Sequence, residues 1–196
     1  MLRITGGEFR GRLIQTPSGE KTRPTQARLR QAWFNSLQTK ISNTRVLDLF
    51  SGSGALGFEA LSWGADHVTF VEQSKSTSLL ILKNAQALGV QDRIEIITGT
   101  LENFAKKTLA QPPVRPPVRP YDLVFADPPY DENYELELIN DMPWGQWLTL
   151  GGWFFLEWGT LKSRTKSLPD STAFLVKIRE KVYGDSVLST FERTAN

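Results

Sequence analysis

Residues 46–57, Val-Leu-Asp-Leu-Phe-Ser-Gly-Ser-Gly-Ala-Leu-Gly, decide the fold of this chain. The first five residues form an apolar run, interrupted by Asp48, that predicts a buried strand. The glycines that follow permit a tight turn and let a ligand approach the backbone closely. From Ala55 to Ser62 the pattern predicts a helix, whose first N–H groups have no partner within the helix and point at the turn. A strand, a glycine-rich turn and a helix in this order are typical of an α/β domain that binds a nucleotide-like cofactor.

An acidic residue follows on the next predicted strand. Residues 68–71 are apolar or β-branched and lead into Glu72, whose carboxylate can accept both hydroxyls of a ribose. Glycines followed by an acid about 20 residues later match the dinucleotide fingerprint, so the pattern fits a nicotinamide cofactor or S-adenosylmethionine. Asp48 favours S-adenosylmethionine, because it can hold a cationic amino-acid moiety but would repel a pyrophosphate. The candidate cofactor-binding residues are Asp48, Phe50, Ser51, Gly52, Gly54, Leu56, Glu72, Gln73, Thr100 and Leu101.

A second motif, Asp127-Pro128-Pro129-Tyr130, follows the apolar run 123–126. Each proline fixes its own φ and lacks an N–H, so a stiff turn is expected where the predicted strand ends. The Asp127 carboxylate and the Pro128 carbonyl can each accept one N–H of an exocyclic amino group, while Tyr130 stacks on the ring that carries it. The alternative is a proline-terminated strand without a catalytic role. After the glycine turn, this motif is the only other candidate for chemistry in the sequence. Nothing resembles a hydride-transfer site, which also favours S-adenosylmethionine over a nicotinamide cofactor.

Strands and helices alternate along most of the chain, which predicts a largely parallel sheet covered on both faces. In such sheets ligands bind at the carboxyl ends of the strands, where all the candidate segments above are expected to meet. The predicted strands are 45–50, 67–72, 94–98, 121–126, 152–157, 173–179 and 186–192, and the predicted helices are 55–62, 75–88, 101–109 and 134–141.

Composition restricts the class of protein. A chain of 196 residues with 40% hydrophobic and 22% charged residues fits one ordinary globular domain with a sizeable core. There is no cysteine, and His67 is the only histidine, so disulfides, thiolate catalysis and sites built on several histidines are excluded. The start of the chain has no apolar core typical of a signal peptide, and no run is long enough to span a bilayer. We therefore expect a cytoplasmic protein with neither a membrane nor a metal as partner.

The net charge of +2 conceals a basic N-terminal region. Residues 1–45 contain nine Lys or Arg and two Glu, a net charge of +7, which leaves −5 on the remainder. Such a basic segment favours a polyanionic partner, because phosphate neutralisation supplies much of the sequence-independent affinity for nucleic acids. A solvated charged face is the alternative. The candidate nucleic-acid-binding residues are Arg3, Arg10, Arg12, Arg23, Arg28 and Arg30.

The basic region has its own predicted organisation. Residues 3–5 and 12–14 predict two short strands joined through Gly6, Gly7 and Gly11 as a hairpin, and a helix follows. Leu29, Trp33 and Leu37 repeat every four residues and form an apolar stripe that packs against the rest of the protein. Arg28 and Arg30 lie off this stripe, so we expect them to remain available to phosphates. Residues 112–120 repeat Pro-Pro-Val-Arg and predict an extended surface loop without a catalytic role.

Several stretches together resemble the RsmD family of bacterial methyltransferases. They are Arg3-Ile4-x-Gly6-Gly7-x-Phe9-Arg10-Gly11-Arg12, Arg23-Pro24-Thr25 with Arg28, Phe34-Asn35, residues 48–60, Val71-Glu72, residues 127–130 and Tyr183-Gly184-Asp185. The resemblance covers nearly the whole chain, and its N-terminal block is more specific than the glycine turn, which many methyltransferases share.

This resemblance implies a class I S-adenosylmethionine-dependent methyltransferase with a seven-stranded sheet whose last strand is antiparallel. Residues 1–42 would be a basic hairpin-and-helix extension and residues 43–196 the methyltransferase domain. The implied reaction methylates the exocyclic N2 of one guanine in 16S ribosomal RNA, within a partly or fully assembled small subunit, and we expect a monomer. Thr100 departs from the family, since many relatives carry an acid or amide near the adenine at this position. The Pro-Val-Arg repeat is a further departure.

Three other functions stay open on the sequence. A DNA adenine-N6 methyltransferase would use the same tetrapeptide but would usually need a target-recognition domain, for which 196 residues leave little room. A protein methyltransferase would not need the basic extension. A non-enzymatic RNA-binding module would explain the basic extension but not the two motifs predicted at one edge of the sheet.

Overall fold

The parts of the chain that the computed structural model describes are residues 1–17, 24–110, 120–129, 134–159 and 167–195, with residues 24–28 described by their backbone alone. The chain divides into two compact units, Met1–Leu101 and Glu102–Asn196. The boundary that the sequence predicts, between residues 42 and 43, falls inside the first unit and stays a prediction. Tyr130, Arg23, the Arg28 side chain and residues 112–119 of the proline-rich repeat lie outside the described residues.

The first unit begins with a hairpin and continues as alternating strands and helices. Its elements are β1 (Leu2–Arg3), β2 (Leu13–Ile14), α1 (Pro24–Leu37), β3 (Arg45–Leu49), α2 (Ala55–Ser62), β4 (His67–Glu72), α3 (Lys75–Leu88), a 3-10 turn (Gln91–Arg93) and β5 (Ile94–Thr98). Strands β1 and β2 pair antiparallel, so the predicted hairpin is confirmed. The stripe of Leu29, Trp33 and Leu37 is buried, as predicted.

The second unit holds the remaining strands. Its elements are β6 (Tyr121–Ala126), α5 (Tyr134–Asn140), α6 (Trp144–Trp147), β7 (Leu148–Gly159), β8 (Leu175–Tyr183) and β9 (Ser186–Arg193), and α4 (Leu101–Ala110) begins at the last residue of the first unit. The aromatic residues of this unit form much of its core: Phe154 packs on Trp144 and Phe191, with ring centroids 4.4 and 5.9 Å away.

Strands β3 to β9 belong to one seven-stranded mixed sheet. In the first unit the order is β5-β4-β3 and every pairing is parallel. In the second unit the order is β6-β7-β9-β8, with β7 parallel to β6. The last strand in the chain, β9, runs antiparallel to both of its neighbours. The predicted class I methyltransferase sheet with an antiparallel last strand is confirmed.

Two strands are longer than predicted. Strand β7 begins at Leu148 rather than at residue 152, because a register shift between Tyr121 and Leu123 of β6 accommodates the Gly151-Gly152 pair within the strand. Strand β8 continues to Tyr183, which pairs with Ser186 across a two-residue turn. Gly184 has φ +59° there, as tight hairpin turns require. The sequence also missed α6, a single turn whose tryptophans are buried.

Candidate active site

The turn after β3 has an unusual backbone. Phe50, Gly52 and Gly54 have φ angles of 57°, 50° and 79°, all in the left-handed region. Glycine adopts this region without strain, whereas Phe50 does so at a cost, and strained residues of this kind concentrate at functional sites. A Cβ added to Gly52 would meet no atom closer than Phe50 O at 4.0 Å. The turn therefore offers open space against bare backbone at Gly52, as a bound cofactor requires.

Ser51 fastens this turn to the sheet. Its hydroxyl donates to Asp48 O at 2.7 Å and lies 3.1 Å from Val71 O, and its N–H donates to Val71 O at 3.1 Å. Ser51 is buried, so these contacts are shielded from water. The end of β3, the turn and the end of β4 are thereby held together, which fixes the shape of the turn before any ligand binds.

Asp48 is buried beneath the turn, with 1% of its surface exposed. Its Oδ2 accepts a hydrogen bond from Gly57 N at 2.9 Å, so one N–H of the first turn of α2, predicted to be without a partner, is satisfied. Burial raises the pKa of Asp48 from 3.8 to about 8; the Gly57 N–H lowers it in part, and the charge of Glu72 raises it further. At neutral pH this carboxyl group is therefore mostly protonated.

Glu72 ends β4 and reaches back to the turn. Its Oε2 accepts from Gly52 N at 2.9 Å, and its Oε1 accepts from Ser74 N at 2.7 Å. Glu72 is 8% exposed, so the carboxylate lies at the edge of the protein interior. Each carboxylate oxygen has a second lone pair, which leaves acceptor capacity for a hydroxyl ligand.

The other candidate cofactor residues follow the carboxyl ends of β3, β4 and β5 and differ in exposure. Gly99 N donates to Glu72 O at 3.0 Å, and a Cβ added to Gly99 would meet no atom within 4 Å. Thr100 is half-buried and Gln73 is exposed. Leu56 and Leu101 are buried, with 8% and 5% of their surface exposed. The first unit thus joins Gly52 and Gly99 to Glu72 by hydrogen bonds, while the assignment of the whole set to the cofactor stays a prediction.

Asp127-Pro128-Pro129 follows β6 directly in the second unit. Residues 123–126 are buried in the sheet, which confirms the predicted strand. Asp127 is half-buried, Pro128 is buried and Pro129 is exposed, and none of the three is helical. The motif therefore lies at the carboxyl end of a parallel strand, the edge at which α/β sheets bind ligands.

Three arginines of the hairpin lie at the surface. Arg3 donates to Gly11 O at 2.7 Å and Arg12 donates to Ala87 O at 2.6 Å, while Arg10 is exposed. A guanidinium has five N–H donors, so one bond to a carbonyl leaves others for a phosphate. Arg3 and Arg12 are therefore oriented by the protein, and all three side chains remain accessible.

Arg30 is not available to phosphates, which corrects the prediction. Its side chain is 8% exposed, and its Nε lies 3.8 Å from Glu59 Oε1 in a buried ion pair. The same Glu59 oxygen accepts from Thr5 N at 2.7 Å. Burial raises the pKa of Glu59, while the Thr5 N–H and the Arg30 charge oppose that shift. The apolar stripe predicted from Leu29, Trp33 and Leu37 covers only part of the buried face of α1. Arg30 and Phe34, four residues apart, also lie on this face.

The hairpin is fastened to the end of α2 through Ser62. Phe9 N donates to Ser62 Oγ at 2.9 Å, and Glu8 N donates to Ser62 O at 2.7 Å. A Cβ added to Gly7 would lie 1.8 Å from Ser62 O, and one added to Gly6 would lie 2.2 Å from the Trp63 ring. Gly6 and Gly7 are therefore required for close approach to α2, beyond the hairpin connection that the sequence predicted.

Asn84 is a residue that the sequence did not single out. It is 2% exposed on α3, and its side chain exchanges two hydrogen bonds with the Gln15 backbone, at 2.8 and 3.0 Å. Its amide also donates to Ser53 O in the glycine turn at 3.3 Å. Asn84 thus connects the segment after β2 to the candidate cofactor site. Only its place on the same helix face as Ile81, Ala85 and Leu88 could have indicated a buried role.

Two features of the described residues concern other classes of function. In the parts of the chain that the structure describes, no three His, Cys, Asp or Glu residues are arranged to hold a metal ion. Across those same parts, no helix combines the length and the hydropathy needed to cross a membrane.

The fold defines the class of protein. The solved structure of yhhF from Escherichia coli matches with a TM-score of 0.78 and 31% identity, covering 100% of this chain and 99% of that one. An O-methyltransferase from Bacillus cereus, solved with SAH, shares the fold alone, with a TM-score of 0.66 and 13% identity over 89% and 84% of the two chains. The fold is that of the class I methyltransferases, and S-adenosyl-L-methionine is the cofactor of this class.

The family follows from sequence similarity. A family model described as conserved hypothetical protein 95 matches residues 2–192. Ribosomal RNA small subunit methyltransferase D of Escherichia coli K12 is 31% identical over 99% of this chain and 91% of its own length. The protein of that name from Haemophilus influenzae is 34% identical over 93% of this chain and 89% of its own length. The chain belongs to this family, the RsmD family of methyltransferases.

Proposed function

We propose that this protein methylates the exocyclic N2 of a guanine in 16S ribosomal RNA of the small subunit, in the cytoplasm. Relatives named as small subunit ribosomal RNA methyltransferases align over nearly the whole chain, which supports RNA as the substrate. The observation that carries the proposal is the Asp127-Pro128-Pro129 turn at the end of a buried strand, within a methyltransferase fold that also presents a basic hairpin. Acceptors on a rigid turn suit an amine rather than a carbon or hydroxyl nucleophile.

The residues around the glycine turn fit S-adenosylmethionine, which supplies an electrophilic methyl group on its sulfonium. Asp48 would face the cationic amino group, and Gly52 would leave room for the amino-acid moiety against bare backbone. Gly54 remains in the proposed set through its backbone, since a Cβ added there would lie 2.7 Å from the Phe58 ring rather than in open space. Glu72 would accept the ribose hydroxyls with the lone pairs that Gly52 and Ser74 leave unused. Thr100 lies beyond the end of β5, where its hydroxyl or backbone would contact the adenine.

The second unit supplies the groups that hold the amine. Asp127 and the Pro128 carbonyl would each accept one N–H of the guanine N2 amino group. These two hydrogen bonds localise a lone pair that is otherwise delocalised into the ring. Tyr130, outside the described residues, would stack on the base, which must leave its helix to be reached. No strong base is needed before attack, because the amine can lose its proton after the methyl group has been transferred.

The hairpin supplies the sequence-independent affinity for RNA. Arg3, Arg10 and Arg12 lie at its surface and would contact phosphates. Arg23 and Arg28, whose side chains lie outside the described residues, remain in the proposed set. Arg30 does not, because its buried pairing with Glu59 makes it part of the protein interior.

The proposal is tested with labelled S-adenosylmethionine and small subunits from bacteria that lack the corresponding methyltransferase. After incorporation, the RNA is digested and the labelled nucleoside is identified by mass spectrometry. We expect N2-methylguanosine at one position, with Asp127→Ala inactive and the surface variant Asp92→Asn fully active. Labelled N6-methyladenosine would contradict the base assignment while leaving the methyltransferase fold intact. Label in protein rather than RNA would contradict the substrate class.

A further inference from the structure

The β8–β9 hairpin reaches the same edge of the sheet as the Asp127 motif. One row of paired residues crosses the second unit from Ala126 through Leu156 and Ser189 to Glu180. Strand β9 is antiparallel to both β7 and β8, so β8 runs in the same direction as β6 and β7. The residues that follow Ala126 and those that follow Glu180 therefore extend beyond this row on the same side. The row spans three strand spacings, about 14 Å.

A bulge divides the charged side chains of β8 between its two faces. Lys177 and Arg179 pair with consecutive residues of β9, so one extra residue stands between them. Without this register shift, strand alternation would place Lys177, Arg179 and Lys181 on one face. With the shift, Lys177 shares a face with Glu180, while Arg179 and Lys181 share the opposite face.

The charges on the first of these faces are paired with one another. Lys177 Nζ lies 3.4 Å from Glu180 Oε2 and 2.9 Å from Asp170 Oδ1. The same Glu180 oxygen accepts from Ser189 Oγ at 2.9 Å. The carboxylate of Glu180 is thus engaged on its own face of β8, away from the two cations on the other face.

The second face carries two exposed cations and an aromatic ring. Arg179 and Lys181 are exposed, and Tyr183, the next residue on this face, is half-buried beside the turn. Residues two apart on a strand are separated by about 7 Å, close to the separation of successive phosphates in a nucleic-acid strand. The turn carries one acid, Asp185, which follows this row rather than interrupting it. Cations followed by an aromatic ring suit single-stranded nucleic acid, whose phosphates meet the cations while its bases stack on the ring.

We infer that the β8–β9 hairpin is a second RNA-binding surface, where Arg179 and Lys181 contact phosphates of the strand that carries the methylated guanine and Tyr183 stacks on one of its bases. This inference rests on the proposed function, since it concerns the same RNA. The row from β6 to β8 corresponds to about four stacked nucleotides, so the contacted phosphates lie close to the target in sequence.

Removal of the two charges should weaken RNA binding in a salt-dependent way. Each phosphate contact on single-stranded RNA contributes about 0.7 to the slope of log affinity against log salt, which is about fivefold in affinity at about 0.1 M salt. Arg179→Gln combined with Lys181→Gln should therefore lower the slope by about 1.4 and weaken binding of small subunits about 25-fold, as measured by filter binding. Unchanged affinity for S-adenosylhomocysteine shows that the variant is folded.

Two control variants separate position and charge from structure. Lys106→Gln combined with Lys107→Gln removes the same net charge from exposed positions on α4, so the wild-type slope should be kept. Arg179→Lys combined with Lys181→Arg preserves the charge of the β8–β9 hairpin and should keep most of the affinity. Equal affinities of the two Gln variants would overturn the inference.

Cross-linking provides a second measurement that does not depend on the loss of binding. The chain has no cysteine, so Lys181→Cys supplies a single thiol for a photo-crosslinking reagent. We expect crosslinks to 16S RNA within about five nucleotides of the methylated guanine, and none in this interval from the control Lys106→Cys. Crosslinks from Lys181→Cys only to distant parts of the RNA would contradict the proposed contact.

The outcomes separate the two proposals. If the wild-type protein methylates no RNA, the proposed function fails, whatever the β8–β9 hairpin binds. If N2-methylguanosine forms but the Arg179 and Lys181 variant binds small subunits as tightly as the control, the proposed function stands and the role of the β8–β9 hairpin is refuted. Charged side chains also protect open sheet edges from pairing with another chain, and β8 is the last strand in the sheet order. Self-association of the variant with unchanged RNA affinity would identify this protective role instead.

Discussion

We expect the affinity for S-adenosylhomocysteine to increase with pH, because Asp48 must ionise to meet the cationic amino group of the ligand. The pKa of Asp48 is raised to about 8 in the ligand-free protein, primarily by burial. At pH 6.0 about 1% of the molecules then have an ionised Asp48, and at pH 7.5 about a quarter do. A nearby cation lowers the pKa in the complex, so binding releases a proton. The affinity should therefore rise about 20-fold between these two pH values.

Calorimetry with S-adenosylhomocysteine, in buffers of different ionisation enthalpy, measures both the affinity and the proton release. Asp48→Asn keeps an acceptor for Gly57 N but cannot ionise, so its affinity should be low and independent of pH. His67 is a group whose ordinary pKa lies near this range, and burial, with the charge of Arg45, lowers it. The control variant His67→Asn should keep the pH dependence. A flat profile for the wild-type protein, or an unchanged profile for Asp48→Asn, would refute the assignment of Asp48.

Further predictions concern the stability of the protein, its RNA affinity and its turnover. The pKa of Asp48 in the folded protein lies above its ordinary 3.8, so the stability linked to this group is complete below about pH 4 and is lost as pH rises towards 8. Urea unfolding of Asp48→Asn should not show this loss of stability. A variant that still loses stability over this range would contradict the assignment to Asp48. Gly7→Ala should lower the free energy of unfolding by about 1–3 kcal/mol, because the added Cβ clashes with Ser62 O. The loss should exceed that of the control Gly11→Ala, where φ is also positive but nothing lies within 4 Å of the added Cβ. Equal losses would mean that the close approach of the hairpin to α2 is unimportant. Glu72→Ala should weaken binding of S-adenosylhomocysteine, as measured by calorimetry, and unchanged binding would remove Glu72 from the cofactor site. Charge reversal at Arg3, Arg10 and Arg12 should reduce the salt dependence of subunit binding by about one unit per lost phosphate contact, with cofactor affinity unchanged, whereas an unaltered slope would identify a merely solvated face. Tyr130→Phe should have little effect on turnover, while Tyr130→Ala should cost about 1–3 kcal/mol of stacking, and equal effects would argue for a role of the hydroxyl.

Elements with clear boundary residues were predictable from the sequence. Helix α3 spans the predicted residues because Ser74 accepts from Thr77 N at its start and Gly89, with φ 75°, ends it. Strand β4 likewise ends at the predicted Glu72. In contrast, the strand predicted to begin at residue 152 in fact begins at Leu148 and continues through Gly151 and Gly152. Local signals fail there because pairing with a neighbouring strand, which the sequence does not display, decides where β7 begins.

The candidate site was predictable where its residues are consecutive and unpredictable where they meet from a distance. The glycine turn lies within a few residues of Asp48, so its backbone could be anticipated from the motif alone. The burial of Arg30 depends on Glu59, and the role of Asn84 depends on Gln15, 69 residues away. Side-chain pairing over such separations leaves no periodic signal. An arginine with no partner nearby in the sequence therefore looked like a surface residue.

Helix α2 has consequences for how this protein can change its RNA target. The candidate cofactor turn precedes its first residue, and the hairpin is attached to its second half, with Thr5 N bonded to Glu59 and Phe9 N bonded to Ser62. The proposed RNA-binding hairpin therefore cannot be exchanged as a cassette, because its removal would uncover Glu59 on α2 and Trp63 just after it, next to the candidate cofactor site. Evolution, or an engineer, would have to alter the target by replacing exposed arginines one at a time, while Gly6, Gly7 and Ser62 stay as they are.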